Sequence, residues 1–278
     1  MGYLRRKFIL KTILTILMAA LSILMLLPFI WMLSTSFKNE SQVFNFPIEW
    51  IPKAPTLDNY VKVWRARTPF QLFFLNSIKV TLCCVLGEVC TSALAGYAFA
   101  KIKFRFREFF FWLYVATLIF PGQMMLVPRF VLYRMIGLYN THGALIFPGM
   151  FTAFGTFMLR QFFLTIPGEL SESAKIDGAH HFTIFFRVVL PLSFAAISAL
   201  IIFQFVGSWN EFEAALIYLR DRRLYTIPLG LLLLNDENAS QYGAIMAGTV
   251  CSLVPIFIVF LTFQKQFVAG IATSGLKE

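Results

Sequence analysis

The sequence predicts an all-α polytopic membrane protein with six transmembrane helices. Three observations carry that expectation. The 278 residues are 58% hydrophobic and only 14% charged, with a mean hydropathy of +0.72. This is more apolar surface than a single aqueous core can bury. Six stretches reach or approach the roughly 20 apolar residues that cross a bilayer core about 30 Å thick. Finally, Lys and Arg gather in short clusters between those stretches, where they act as topology signals rather than as a nucleic-acid surface, despite a formal charge of +10.

The spans are expected in order. Thr12–Leu33 is uncharged, and Arg5, Arg6 and Lys7 precede it; it is too long for a secretory h-region and no A-x-A-like site follows, so it reads as a retained anchor. Val80–Ala100 carries one charge, Glu88. Phe109–Pro128 is uncharged, as is Gly143–Leu159, which extends to Phe163 past Arg160. Val188–Trp209 and Tyr242–Phe263 complete the set. Exposed loops and sheet edges are not viable at membrane depth, so these segments are helices, and Pro121, Pro148 and Pro255 are tolerated kinks.

Six spans place both termini on one side. If that side is cytoplasmic, it holds 13 of the 24 cations, among them the turn Lys101–Arg107, with four cations in seven residues and only Glu108 opposing. That turn orients the chain, because the rule weights short loops. Three segments then face outward: Ser34–Leu75, rich in Pro, Asn and Trp and holding Asp58; Arg129–His142, read as an interfacial helix; and Asn210–Gln241, read as a large loop. The expected organisation is residues 1–71 as anchor helix and outer segment, 72–264 as core with a cytoplasmic loop at 166–187, and 265–278 as tail.

Single residues admit two readings each. Glu88 costs about 2.5–3.5 kcal/mol inside a span, so it faces protein or water; it is either a hydrogen-bond partner to a neighbouring helix or a proton relay. Gln123 and Gln204 either line a pore or bond between helices. Trp209, Asn210 and Glu211 either mark a translocation path or gate, or serve as a membrane-interface anchor. His180 and His181 do not share a helix face and read as surface residues, not as a metal pair. Cys83, Cys84, Cys90 and Cys251 lie in apolar stretches without zinc or disulfide spacing. No Lys is preceded by Gly, so no P-loop is present, and no H-E-x-x-H occurs.

The segment Ile166–Pro191 is the most specific. Pro167 suits a helix start, Glu169 and Glu172 favour its positive end, and Gly178 can adopt the positive φ that stops it. Glu172-Ser173-Ala174, three residues, Gly178, nine residues, Val188, Val189 and Leu190-Pro191 reproduce the cytoplasmic loop of the permeases of binding-protein-dependent ABC importers. Ser173 stands where Ala is usual. Asp177-Gly178-Ala179, Gly207–Phe212, Tyr225–Gly230, Met246-Ala247-Gly248, Asn76-Ser77 and Gly137–Thr141 are also similar to carbohydrate-uptake members of that family. The chain most resembles the shorter permease of maltose-type importers.

The resemblance implies a type I ABC importer permease fold in a bacterial or archaeal plasma membrane, with both termini cytoplasmic. It implies a transport subunit that is not itself an enzyme and carries no cofactor; ATP and Mg are bound by a partner ATPase dimer. The ATPase would dock on the loop formed by Glu172, Ser173, Ala174, Asp177, Gly178, Ala179, Leu190 and Pro191, and the tail Gly270–Glu278 would touch it too. Other implied partners are a second, related permease (a heterodimer), an extracytoplasmic solute-binding protein touching Leu231, Asn235 and Asp236, and membrane lipid, but no nucleic acid. Gln204, Trp209, Asn210 and Glu211 are the candidates for the path or gate, and the implied cargo is a sugar or oligosaccharide. Alternatives are a permease for glycerol phosphate or an amino acid, and an integral-membrane lipid enzyme, which would need a convergent acid or histidine cluster.

Overall fold

A computed structural model describes residues 2–65, 70–237 and 241–275. The helices run α1 Gly2–Ser36, α2 Asp58–Arg65, α3 Phe70–Lys101, α4 Arg107–Ala116, α5 Leu126–Met135, α6 Gly143–Met150, α7 Ala153–Thr165, α8 Gly168–Ile176 and α9 His181–Ile184. They continue with α10 Leu190–Leu192, α11 Phe194–Trp209, α12 Glu213–Tyr218, α13 Ile227–Glu237 and α14 Tyr242–Gly275. Among the described residues, four helical stretches are long and apolar enough to cross a membrane: Arg6–Ser36, Phe70–Lys101, Gly143–Thr165 and Tyr242–Gln266. Two bent pairs raise the number to six if each is one span.

Those bent pairs correct two of the expected continuous spans. Phe109–Pro128 is replaced by Arg107–Ile119 and Gly122–Met135, which meet at 93°. The break falls at Phe120-Pro121, both extended, as expected where a proline forbids helical geometry in the residue before it. Val188–Trp209 is likewise divided, into His181–Leu192 and Phe194–Trp209 at 77°. Pro191 cannot bond back to residue 187, and the turn before it widens to a π-helix over Phe185–Val189. The expected fourth span is interrupted between α6 and α7, where Thr152 is extended and caps α7 through its hydroxyl. The expected loop Asn210–Gln241 is instead largely helical, holding α12, a 3-10 turn at Arg222–Leu224 and α13.

The chain forms two compact units, Met1–Thr68 with Leu231–Leu253 and Pro69–Gly230 with Val254–Glu278. In the first, α1 buries none of its apolar window against protein, as suits a helix solvated by lipid. Beyond it Lys38 is buried, bonded to the Glu49 carbonyl and lying 4.4 Å from the Trp31 ring centroid. Burial lowers its pKa below the ordinary lysine value. Asn59 donates to the carbonyls of Ser36 at 3.0 Å and Lys38 at 2.8 Å. These bonds give the segment after α1 a fixed path.

In the second unit α3 is the central helix. Its buried face repeats at three- and four-residue intervals through Phe73, Ser77, Val80, Cys84, Glu88, Ser92, Gly96 and Ala100, a row rich in the small residues that let membrane helices approach closely. One apolar core joins Ala93 and Tyr97 to Leu159, Phe163, Ile184, Phe185, Val189 and Leu200. A second joins Val80 and Cys84 to Tyr133, Leu145, Tyr218 and Leu229. Arg160, within the expected extension of the fourth span, is buried: it pairs with Glu108 at 2.8 and 2.9 Å, donates to the Phe99 carbonyl at 3.2 Å and lies 3.8 Å from the Phe111 ring centroid.

Candidate functional site

The segment after α7 is a short helix held at both ends. At its start, Lys101 donates to the Ile166 carbonyl at 2.7 Å. At its end Gly178 has φ +81°, its N–H bonds to Lys175 O at 3.0 Å, and Ala179 N–H bonds to Ala174 O at 2.9 Å. This pair of bonds is a Schellman stop. It accounts for the Ala174-to-Gly178 spacing: Ala174 and Ala179 are the two residues such a stop brings into contact, and both pack on the core below. The outward face carries Glu172, Ser173, Lys175, Ile176 and Asp177, all exposed, with Ile176 at 88%. Exposed Leu170, Phe182 and Phe186 add to the apolar surface. Leu190 and Pro191 sit beside the 77° bend, where Ser193 returns its hydroxyl to Val189 O at 2.7 Å. His180 and His181 are exposed, and His181 Nδ1 lies 3.3 Å from the Tyr97 hydroxyl.

The break between α6 and α7 lies among polar groups from α3 and α11. It leaves helix-end carbonyls without intrahelical partners, and two side chains take them: Thr91 donates to Met150 O at 2.5 Å and Gln204 to Gly149 O at 2.7 Å. Glu88, 1% exposed, accepts the Thr152 hydroxyl, and Thr152 accepts Gly155 N–H at 3.1 Å. The acid of the second span is therefore a hydrogen-bond partner at the positive end of α7. A Cβ on Gly155 would fall 2.7 Å from Glu88 Oε1, so glycine admits this approach.

A cavity of about 310 Å³ opens at the same break. Its polar lining is Gln204, Glu211, Ser208, Thr152, Arg129 and Tyr218. Of the four expected path residues, two, Gln204 and Glu211, line this cavity. Trp209 is buried instead, stacked on Phe205 with centroids 5.4 Å apart and edge-on to Phe74. Asn210 is exposed and donates to Val206 O at 3.0 Å, closing α11. Sequence reasoning missed Arg129 and Thr152; the signal was their place beside Pro128 and at the polar interruption of an apolar run. Gln123 is exposed and donates to Glu213 at 3.3 Å.

Two further sequence stretches, Asn140–His142 and Asn76-Ser77, converge on the chain between α12 and α13. Asn140, at φ +59°, accepts the N–H groups of Arg220 and Asp221 at 2.8 and 2.9 Å. His142 donates to Leu224 O at 2.9 Å. Asn76 donates to the carbonyls of Arg223 and Tyr225 at 2.8 and 3.0 Å, and Ser77 accepts Ile227 N–H at 2.7 Å. Burial lowers the His142 pKa, and nearby Lys79 acts in the same direction. The hydrogen bonds from Arg223 lower that of Asp221. Leu231 and Asn235 lie on α13, half-buried and exposed respectively; Asp236 belongs to the same helix, and its side chain is outside the described residues. The expected tail contact at Gly270–Glu278 falls at and beyond the end of α14; residues 276–278 and the side chains before them are outside the described residues. Cys83 and Cys90 are exposed, Cys84 buried, and all four cysteines are free.

The family described as binding-protein-dependent transport system inner membrane component matches residues 91–273. The arabinooligosaccharides transport system permease protein AraQ of Halalkalibacterium halodurans is 33% identical over 271 residues, covering 97% of each chain. The sulfoquinovosyl glycerol transport system permease protein SmoH of Agrobacterium fabrum is 37% identical, covering 91% of this chain and 89% of that one. The sn-glycerol-3-phosphate transport system permease protein UgpE of Pectobacterium atrosepticum is 32% identical, covering 85% and 86%. A solved chain of a bacterial ABC transporter involved in the import of the acidic polysaccharide alginate superposes with a TM-score of 0.83 at 24% identity, covering 95% and 98%.

Proposed function

The chain belongs to the binding-protein-dependent transport system inner membrane components, and we propose that it forms half of the pore of an ATP-driven importer that takes up a sugar or oligosaccharide. The observation that carries this reading is α8: a helix fixed at both ends yet exposing Leu170, Glu172 and Ile176, a shape suited to a cleft in a soluble partner. That partner is a separate ATPase dimer, which binds the ATP and Mg. Glu172, Ser173 and Asp177 are the docking residues, presented by the stop that Ala174, Gly178 and Ala179 form on the core, with Leu190 and Pro191 at the bend that passes motion into α11. A ligand biases two states only through contacts that differ between them, so α8 must pack differently on the ATPase in each. In this orientation the α8 face and both termini are cytoplasmic and the membrane is the plasma membrane. A second, different permease completes the pore, and an extracytoplasmic binding protein delivers cargo against the α13 region, at Leu231, Asn235 and Asp236.

The cavity at the α6–α7 break supports carbohydrate as cargo. Gln204, Ser208, Thr152 and Tyr218 offer neutral donors and acceptors, and the one cation, Arg129, is matched by the one acid, Glu211. Such a lining suits hydroxyls rather than net charge, so Gln204 and Glu211 are path residues, whereas Trp209 and Asn210 hold the end of α11 in shape. Among the relatives, the arabinooligosaccharide and sulfoquinovosyl glycerol permeases carry sugar-containing solutes by name. Two measurements test the reading. Gly178→Pro and Asp177→Lys should each abolish uptake with the protein still in the membrane; normal uptake by the inserted variants would refute the coupling assignment. A thermal-shift screen of the cognate binding protein should find a neutral saccharide, and stabilisation by glycerol phosphate alone would replace the sugar with that solute.

A further inference from the structure

Two adjoining cavities lie beside α8, in the second unit. The first, about 460 Å³, is lined by Lys101, Lys103, Arg107, Lys175 and His181 with Glu172 as its one acid. The second, about 220 Å³, is lined by Leu94, Ala98, Phe182 and Phe185. They share Tyr97, Ile102 and His181, so a cationic chamber opens beside an apolar one.

The cationic chamber is not neutralised from within. Lys101 is held by Ile166 O and Arg107 by Glu108, but Lys103 and Lys175 have no ion-pair partner among the described residues. Ser171, which also lines it, has a buried hydroxyl without a hydrogen-bond partner. The α8 N-terminus begins here, at Gly168, and Pro167 gives its first-turn N–H groups no side-chain acceptor. Cations, a hydroxyl and a helix N-terminus together suit a phosphate. A soluble phosphate would leave the apolar chamber empty, and a plain hydrocarbon would leave the cations unmatched. Exposed Phe104, Phe106 and Phe109 line a neighbouring hollow together with Lys103 and Arg107, a mix of cations and apolar side chains suited to the headgroup–acyl boundary.

We propose that the cleft beside α8 binds one anionic phospholipid, with its phosphate among Lys103, Lys175 and Ser171 and an acyl chain entering the chamber of Ala98 and Phe182. The lipid would tie the α8 lever to the end of α3. The inference rests on the importer reading only for placing this face at the cytoplasmic leaflet.

The test uses the full-length chain in nanodiscs of phosphatidylcholine with phosphatidylglycerol, with native mass spectrometry counting retained lipid. One phosphatidylglycerol should stay bound in preference to phosphatidylcholine. Lys103→Gln with Lys175→Gln should weaken retention about 25-fold, at roughly fivefold for each lysine. Ala98→Trp, which fills the apolar chamber and leaves every charge in place, should also release the lipid, while added inorganic phosphate should not displace it. Unchanged retention in the double lysine variant would overturn the site. Displacement by inorganic phosphate, or full retention in Ala98→Trp, would overturn the lipid in favour of a soluble phosphate. No binding protein or nucleotide is present, so failure here leaves the importer reading standing, and failure of uptake elsewhere leaves this result standing.

Discussion

The helix at 168–176 and the segment at 219–227 are held in opposite ways. The first is shaped by its own neighbours: Ala174 and Ala179 meet across Gly178, and only one face touches the core. The second has little regular structure of its own and is held by side chains from far away in sequence, Asn76, Ser77, Asn140 and His142, each bonded to its backbone. The lever proposed for α8 would move as one body, which needs internal order and few ties. A segment that must stay put needs many ties and tolerates irregular backbone. Helix α3 joins the two, with Asn76 and Ser77 in its early turns and Tyr97 and Lys101 in its last.

The contrast can be broken first at Asn76. Asn76→Leu removes both N–H donors of one amide and strands two carbonyls, those of Arg223 and Tyr225, at roughly 1–3 kcal/mol for each if water cannot reach it. Thermal unfolding of the purified chain should shift down and the amount in the membrane should fall. A variant as stable as the parent would mean that the segment does not depend on this tie. Gly178→Ala is the counterpart at the other end. A φ of +81° costs an L-residue about 1–2 kcal/mol, spent within α8 alone. Membrane levels should therefore hold while uptake per molecule drops severalfold, measured as initial rate against immunoblot. Equal losses of level and rate would erase the distinction between lever and fixed segment.

Acid sharpens it further. The pKa of His142 is lowered by burial, so the folded chain favours neutral imidazole. Its contribution to stability is complete above the unfolded value of about 6.5 and is lost as pH falls through the lower folded value. Melting temperatures taken from pH 8 to pH 5 should decline more steeply in the parent than in His142→Gln. Parallel curves would assign the acid sensitivity to another group.

The same contrast explains what could be read from sequence. The α8 stop was legible because a Schellman motif is local: Gly178 announces its own φ, and the spacing to Ala174 follows from helix geometry. Apolar length predicted α14 within three residues of its membrane window and α1 within six, whereas α3 begins at Phe70, ten residues before the expected Val80 and inside the expected outer segment. The bends at Pro121 and Ser193 were not legible, since a proline in a membrane run permits either a kink or a break, and neighbouring helices decide between them. Nor was the pairing of Arg160 with Glu108. The sequence sets the two some fifty residues apart, at the start of one expected span and near the end of the next, and only the packing of α4 on α7 joins them and buries the cation. Likewise Gln204 could be read as pore-lining or as interhelical glue; it bonds the Gly149 carbonyl of the neighbouring helix end and also lines the cavity at that break.

Glu88 lies between the two ends on α3, and it should give the smallest effect. Its carboxylate accepts the Thr152 hydroxyl beside the first turn of α7, a role that an amide oxygen can fill. Its other oxygen is buried without a partner, so the charge is not required to satisfy a second donor. Glu88→Gln gives up the attraction between a carboxylate and the positive end of α7, about 0.3–1 kcal/mol, and relieves the cost of a charge in the membrane, which opposes that loss. Uptake and its pH dependence should match the parent, and stability should change by less than about 1 kcal/mol. Lost pH dependence with intact folding would show instead that the acid carries a proton. Glu88 would then link movement at α8 to the break between α6 and α7, and the fixed and moving ends would be coupled through α3 by chemistry rather than by packing alone.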